Sequence, residues 1–250
     1  MIVRPIKTDK ILPDSGTIFD VLDNYLGKIE EKSVVAITSK IVAVCEDQVV
    51  LEEGANKEAL AQSEAEYYLP ADESKYNHHF TIARGTILGV SGIDESNGGG
   101  YYILLPKDPQ ATANRVRAHL RHKFSLKDLG VIITDSTSIP LRLGAVGTCL
   151  GYSGFIAVKD YRGQADLFGR PFKFSQSNVA AGLSAAAALT MGEGAEQTPL
   201  AIIEEVPFVD FRDSDPSDEE LKNVNLSLED DLFAPFLNNG KWQPGGHNKE

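Results

Sequence analysis

Gly130-Val131-Ile132-Ile133-Thr134-Asp135 is a short apolar run of β-forming residues that closes on a carboxylate. It reads as a core strand, and its last residue as an exposed type of carboxylate at a strand end, where active-site groups often sit. Residues 33–44, rich in β-branched side chains, give a second buried strand, interrupted by the small polar group Thr38-Ser39-Lys40. Residues 81–90 read as a strand feeding the acidic loop Gly92-Ile93-Asp94-Glu95-Ser96-Asn97, and residues 101–105 as the strand that leaves it after Gly98-Gly99-Gly100. Helical spacing marks residues 17–26, ended by Gly27, then 56–69 and 111–123. Residues 144–158 carry five small residues, Gly144, Ala145, Gly147, Gly151 and Gly154, among β-formers, which favours a bulged strand or close backbone approaches. An alanine-rich helix over 177–191 closes on the turn Met191-Gly192-Glu193-Gly194, and residues 200–206 form a last core strand. No repeat or low-complexity linker divides the chain. These elements predict one interlocked α+β unit over residues 1–210 and an acidic C-terminal extension over 211–250, with a helix capped by Ser217 and Glu220.

Of 250 residues, 42% are hydrophobic and 24% charged, enough to bury a substantial core. Lys and Arg number 24 and Asp and Glu 36, so the formal charge is 24 − 36 = −12, which argues against a nucleic-acid partner. Some charge is segregated, with Arg115, Arg117, Arg121, Lys123 and Lys127 on or beside one predicted helix and an acidic stretch from Asp213 to Asp231. Cys45 and Cys149 stand far apart, outside any disulfide framework or zinc spacing. The first seven residues lack the apolar core of a signal peptide, and no window approaches a membrane span, so the expected compartment is the cytoplasm and no membrane partner is expected.

Neither a Walker loop nor a Rossmann glycine fingerprint occurs, so any phosphate site must be built otherwise. The acidic loops offer a route. Magnesium and manganese prefer hard oxygen ligands and commonly take one or two carboxylates, the remaining positions going to water and phosphate. Asp94 and Asp135 fit that need, Glu193 between two glycines supplies a further oxygen, and Ser136 a hydroxyl. Spacing alone leaves open that Asp94 and Asp135 each close an ordinary turn. Arg142, seven residues after Asp135, has the planar fork to clamp a phosphate or carboxylate, with a surface ion pair as the alternative. His78, His79, His119 and His122 lack partners at ligand spacing and receive no role.

Four segments together resemble the coenzyme F420-0:L-glutamate ligase (gamma-glutamyl ligase) family. They are Ile11-Leu12-Pro13, Ile37-Thr38-Ser39-Lys40-Ile41-Val42, Ser91 through Asn97, and the stretch from Gly130 to Asp135 continuing through Lys159-Asp160, Asp166-Leu167-Phe168-Gly169-Arg170 and Met191-Gly192-Glu193-Gly194 to Pro199. The resemblance implies an intertwined homodimer of the α+β fold of that family. It further implies a ligase using Mg2+ or Mn2+ and GTP (or ATP), whose partners are L-glutamate and a glutamate-bearing small molecule. Matched position by position, Asp94, Asp135, Ser136 and Glu193 fall at metal positions. Ile11, Leu12, Pro13, Asp14, Ser39, Lys40 and Asn97 fall at positions lining the nucleotide, and Asp94, Asp135 and Arg142 are the expected catalytic set.

The likeness is strongest to a bacterial branch described as folate-metabolism gamma-glutamate ligases, which makes the acceptor folate-like or F420-0-like. Departures from the family pattern occur at Val44, where a lysine is usual, at Ser138-Ile139-Pro140, where an arginine is missing, and at Ala181-Gly182, which replaces an acidic pair. They leave a rival reading, a nucleotide-binding protein of the same fold without ligase activity. A metal-dependent phosphohydrolase is a third, disfavoured because no histidine accompanies the acidic loops.

Overall fold

A computed structural model describes residues 1–249, so Glu250, the end of the expected extension, lies outside the described residues. A five-stranded sheet runs in the order Ile2–Ile6, Leu200–Glu204, Ser33–Thr38, Leu129–Ser138, Ala145–Ser153. Ser33–Thr38 and Leu129–Ser138 are parallel, with Thr38 opposite Thr134, while the flanking pairs are antiparallel. Parallel pairing brings the two C-terminal ends to one edge, so Ser39 and Lys40 emerge beside Asp135 and Ser136.

Both faces of this sheet are covered, which is why its strands read as unbroken apolar runs. Val35, Ile37, Val131 and Ile133 pack against residues of the helices Ile18–Tyr25, Ser39–Cys45 and Pro109–Phe124. Val34, Ala36, Ile132, Ala201 and Ile203 face the alanine-rich helix Val179–Met191. There the backbones nearly touch, because a Cβ on Gly147 would lie 2.4 Å from the Ser184 carbonyl oxygen.

Several elements differ from the sequence expectation. Residues 33–44 do not form one interrupted strand: after Thr38 the chain turns into the helix Ser39–Cys45. Ile41, Val42, Ala43 and Val44 are all buried there, and tertiary packing overrides a β-propensity worth only a few tenths of a kcal/mol per residue. The helix expected over 56–69 stops at Glu64, and Tyr67–Leu69 pairs with Phe80–Ala83. Residues 81–90 hold a hairpin, Phe80–Ala83 and Thr86–Gly89, joined through Arg84 and Gly85 at φ of 50° and 66°. Two positive φ angles in a two-residue loop match the strand twist of a hairpin. The strand expected over 144–158 ends at Ser153, and Val158–Asp160 instead pairs with Gln176–Asn178.

The C-terminal region binds to both parts of the molecule. Val206 and Val209 join the main core, and Asp218–Val224 is a helix whose capping box is formed by Ser217 and Glu220, as its sequence predicts. Gln243–Pro244 then becomes the edge of a four-stranded sheet with Tyr67–Leu69, Phe80–Ala83 and Thr86–Gly89. The segregated charges meet here. Buried Arg117 donates to the carbonyls of Leu129 and Arg212 and pairs with Asp213 and Asp215, while Arg121 pairs with Asp213. Among the described residues no helix is long and apolar enough to cross a membrane.

Candidate functional site

The acidic loop springs from the small sheet through an unusual corner. Val90, Ser91 and Gly92 follow one another at φ of 48°, 54° and 69°, in the left-handed region that side chains disfavour. The chain then extends, and Asp94 exchanges backbone hydrogen bonds with Ile103, its N–H donating at 3.0 Å and its carbonyl accepting at 2.8 Å. Its carboxylate Oδ1 accepts from the backbone N–H of Ser96 at 2.6 Å and from the Ser96 hydroxyl at 2.7 Å. Oδ2 is paired with the Lys40 ammonium. Burial alone would raise the Asp94 pKa, but hydrogen bonds from Lys40 and Ser96 outweigh it and hold the group below the usual carboxylate range.

Asp135 is not exposed, as its place at a strand end suggests, but partly buried. A register shift between Ile133 and Thr134 precedes it, setting it opposite Thr148. Its carboxylate Oδ1 accepts from the backbone N–H of Ser136 at 2.8 Å. Burial pushes its pKa up to about 6, against the Ser136 N–H, the Ser39 hydroxyl and the charge of Lys40, while the neighbouring charge of Asp94 adds to the rise. Two carboxylates and one lysine thus share the sheet edge.

The turn after the alanine-rich helix closes the site from another side. The Ser136 hydroxyl donates to Glu193 Oε1 at 2.6 Å, and Asn97 Nδ2 donates to the Gly194 carbonyl at 3.0 Å. Glu196 fixes that turn by accepting from the Gly194 N–H at 2.8 Å. Asp94, Asp135, Ser136, Glu193, Ser39, Lys40 and Asn97 are therefore brought into one linked neighbourhood. Among the described residues no three His, Cys, Asp or Glu side chains already form a metal cage. The donor set nonetheless suits magnesium or manganese, since it is all hard oxygen and leaves most positions to water and phosphate. Lys40 supplies the positive charge that this oxygen cluster draws.

Ile11 packs near Ala43, Val44 and Ile103, beside the helix that carries Lys40. Leu12 closes a turn with Ser15, and among the described residues Leu12, Pro13 and Asp14 make no hydrogen bond to Asp94, Asp135 or Glu193. Arg142 lies apart, on the hairpin tip after Ser138, where its guanidinium donates to the Leu141 carbonyl. Val44 is buried against Ile103, so a lysine there would carry its ammonium into an apolar cluster. Sequence reasoning missed Ser96 and Glu196. Asp94-Glu95-Ser96 carries a usable signal, because an Asp side chain commonly accepts from the backbone two residues on; Glu196 carries none.

Residues 5–205 match the family described as F420-0:Gamma-glutamyl ligase. The chain is 32% identical over 232 residues to the coenzyme F420:L-glutamate ligase of Methanococcus maripaludis strain C7, covering 87% of this chain and 90% of that protein. The protein of the same name from Methanocaldococcus jannaschii is 39% identical over 142 residues, covering 55% of this chain and 57% of the relative. That from Methanopyrus kandleri is 41% identical over 122 residues, 48% of each.

Proposed function

The chain belongs to the F420-0:gamma-glutamyl ligase family, and from that premise we propose that it joins L-glutamate by an amide bond to the γ-carboxylate of a glutamate-bearing cofactor, folate-like or F420-0-like. The reaction consumes GTP (or ATP) and passes through an acyl phosphate. As a gamma-glutamyl ligase the enzyme must bring a triphosphate, a carboxylate and an amine together. The observation that carries the finer reading is the convergence of Asp94, Asp135, Ser136 and Glu193 on one edge beside Lys40.

In this reading the acceptor carboxylate attacks the γ-phosphorus and the nucleoside diphosphate leaves. The amine of glutamate then attacks the acyl carbon, inorganic phosphate departs, and the nitrogen loses a proton. Asp94, Asp135, Ser136 and Glu193 would hold Mg2+ or Mn2+, whose charge offsets the crowding of phosphate and carboxylate oxygens. Lys40 contributes a cation at the same place, and Ser39 and Asn97 fix the walls. No protein nucleophile takes part. Arg142 serves as an anion clamp if the hairpin tip of a second copy delivers it, which makes the homodimer part of the proposal.

Asp135→Asn is expected to cut glutamate-dependent release of nucleoside diphosphate by at least about a thousandfold while leaving the circular dichroism spectrum unchanged. Unaltered turnover would remove the central assignment. The second reading, nucleotide binding without ligation, is favoured by Val44, Ile139 and Ala181-Gly182. Tight nucleotide binding with no glutamylated product by mass spectrometry, across pterin and deazaflavin acceptors, would select it.

A further inference from the structure

We propose that Ser91 and Thr81 form a buried hydroxyl lock that aims Asp94, making both of them positioning residues for the cation held between Asp94 and Asp135. The inference rests on the proposed function for the identity of that cation, and on the backbone for the lock itself.

Left-handed backbone at residues other than glycine persists where its surroundings over-determine it. Among the described residues Val90 is the one β-branched side chain with positive φ, and it opens three such residues in a row. Its N–H donates to the His79 carbonyl at 2.8 Å, and its carbonyl accepts from the Ile93 N–H at 3.0 Å. Ser91, wholly buried, supplies the restraint. Its hydroxyl donates to the Ala61 carbonyl at 2.6 Å, and its N–H donates to Thr81 Oγ1 at 2.8 Å. The Thr81 hydroxyl, also wholly buried, in turn donates to the Leu88 carbonyl at 2.9 Å. The corner is thereby tied to the helix Lys57–Glu64 and to both strands of the hairpin. Gly92 completes it, because a Cβ there would lie 2.9 Å from Leu105 Cδ2.

Only Gly92 and Ile93 separate Ser91 from Asp94, so a rotation at the corner is transmitted directly to the carboxylate. A merely structural turn at this place needs none of this, since glycine or asparagine would adopt the same angles without a bonded hydroxyl. The lock is two residues deep in a protein-only network, and it behaves as the outer support that orients a cation ligand.

The test uses the full chain without nucleotide. Mn2+ binding is read from the electron paramagnetic resonance of the free ion, and amide exchange is read across residues 90–97. Thr81→Val, which keeps the shape and removes the hydroxyl, is expected to weaken Mn2+ binding about 10- to 100-fold and to accelerate exchange in the loop. Thr81→Ser should restore both. Ser91→Ala should behave like Thr81→Val. Ser91→Gly, which accepts the left-handed backbone without strain, guards against misfolding and should lose affinity as well. If Thr81→Val and Ser91→Gly keep wild-type exchange at residues 93–97 and bind Mn2+ within twofold of wild type, the lock is refuted. If the wild type binds Mn2+ no better than Asp135→Asn, the cation assignment fails instead, and the exchange comparison alone decides the lock.

Discussion

Burial pushes up the pKa of Asp135, whose carboxylate is partly buried near the charge of Asp94. A folded-state pKa of about 6, above the ordinary 3.8, means that the native protein binds a proton that the unfolded chain releases. Stability of the metal-free protein should therefore fall as pH rises from about 4 to about 6, then level off. Asp135→Asn removes that charge while keeping most of the shape. In chelator-treated protein above about pH 7 it should gain on the order of 1–2 kcal/mol in urea unfolding, with the advantage shrinking below about pH 5. A variant less stable than wild type at the higher pH would mean that hydrogen bonds from Ser136 and Ser39 outweigh burial. Asp94 and Asp135 stood out at the ends of expected strands, but spacing alone left ordinary turns open, and it is the resemblance that sets them at metal positions. The corner at Val90 and Ser91 was not, because hydropathy encodes no φ angle and a buried serine looks like any other.

Elements were legible wherever burial and intrinsic propensity agree. The small residues over 144–158 suggest close backbone approach, and Gly147 against the Ser184 carbonyl and Gly151 against the Pro109 carbonyl bear that out. The helix Ser39–Cys45 was misread because Ile41, Val42 and Val44 favour strands in isolation, and only their packing reveals the helix. Two glycines of similar appearance thus have opposite expected effects. Gly147→Ala must push the alanine-rich helix off the sheet and should cost about 1–3 kcal/mol in denaturant unfolding. Gly182→Ala, with open space around its Cβ position in the same helix, should gain about 0.5–1 kcal/mol. Equal effects from the two would mean that the helix does not pack through Gly147.

At the scale of the molecule, several of the most exposed apolar residues lie on two arms. Leu141 and Leu143 on the hairpin after Ser138 are 95% and 105% exposed, and Leu167, Phe168 and Phe174 beyond the Val158–Asp160 ribbon are 99%, 87% and 87% exposed. Leucines in loops gave no such signal in the sequence, where they pass for ordinary core residues. Apolar side chains this exposed on two arms suit burial against a second copy of the chain, which in a symmetric pair would cover both. Arg142 and Arg170 sit among these tips, so pairing would give two guanidiniums a route to the oxygen-rich site beside Lys40. Sedimentation of the wild type should accordingly give a dimer at micromolar concentration, and Leu143→Asp combined with Phe168→Asp should give a monomer with an unchanged far-ultraviolet spectrum. If the pair completes the site, that monomer loses ligation while Arg142→Ala loses it without dissociating. A wild-type chain that sediments as a monomer yet turns over fully would separate the chemistry from the pairing and return Arg142 to the surface.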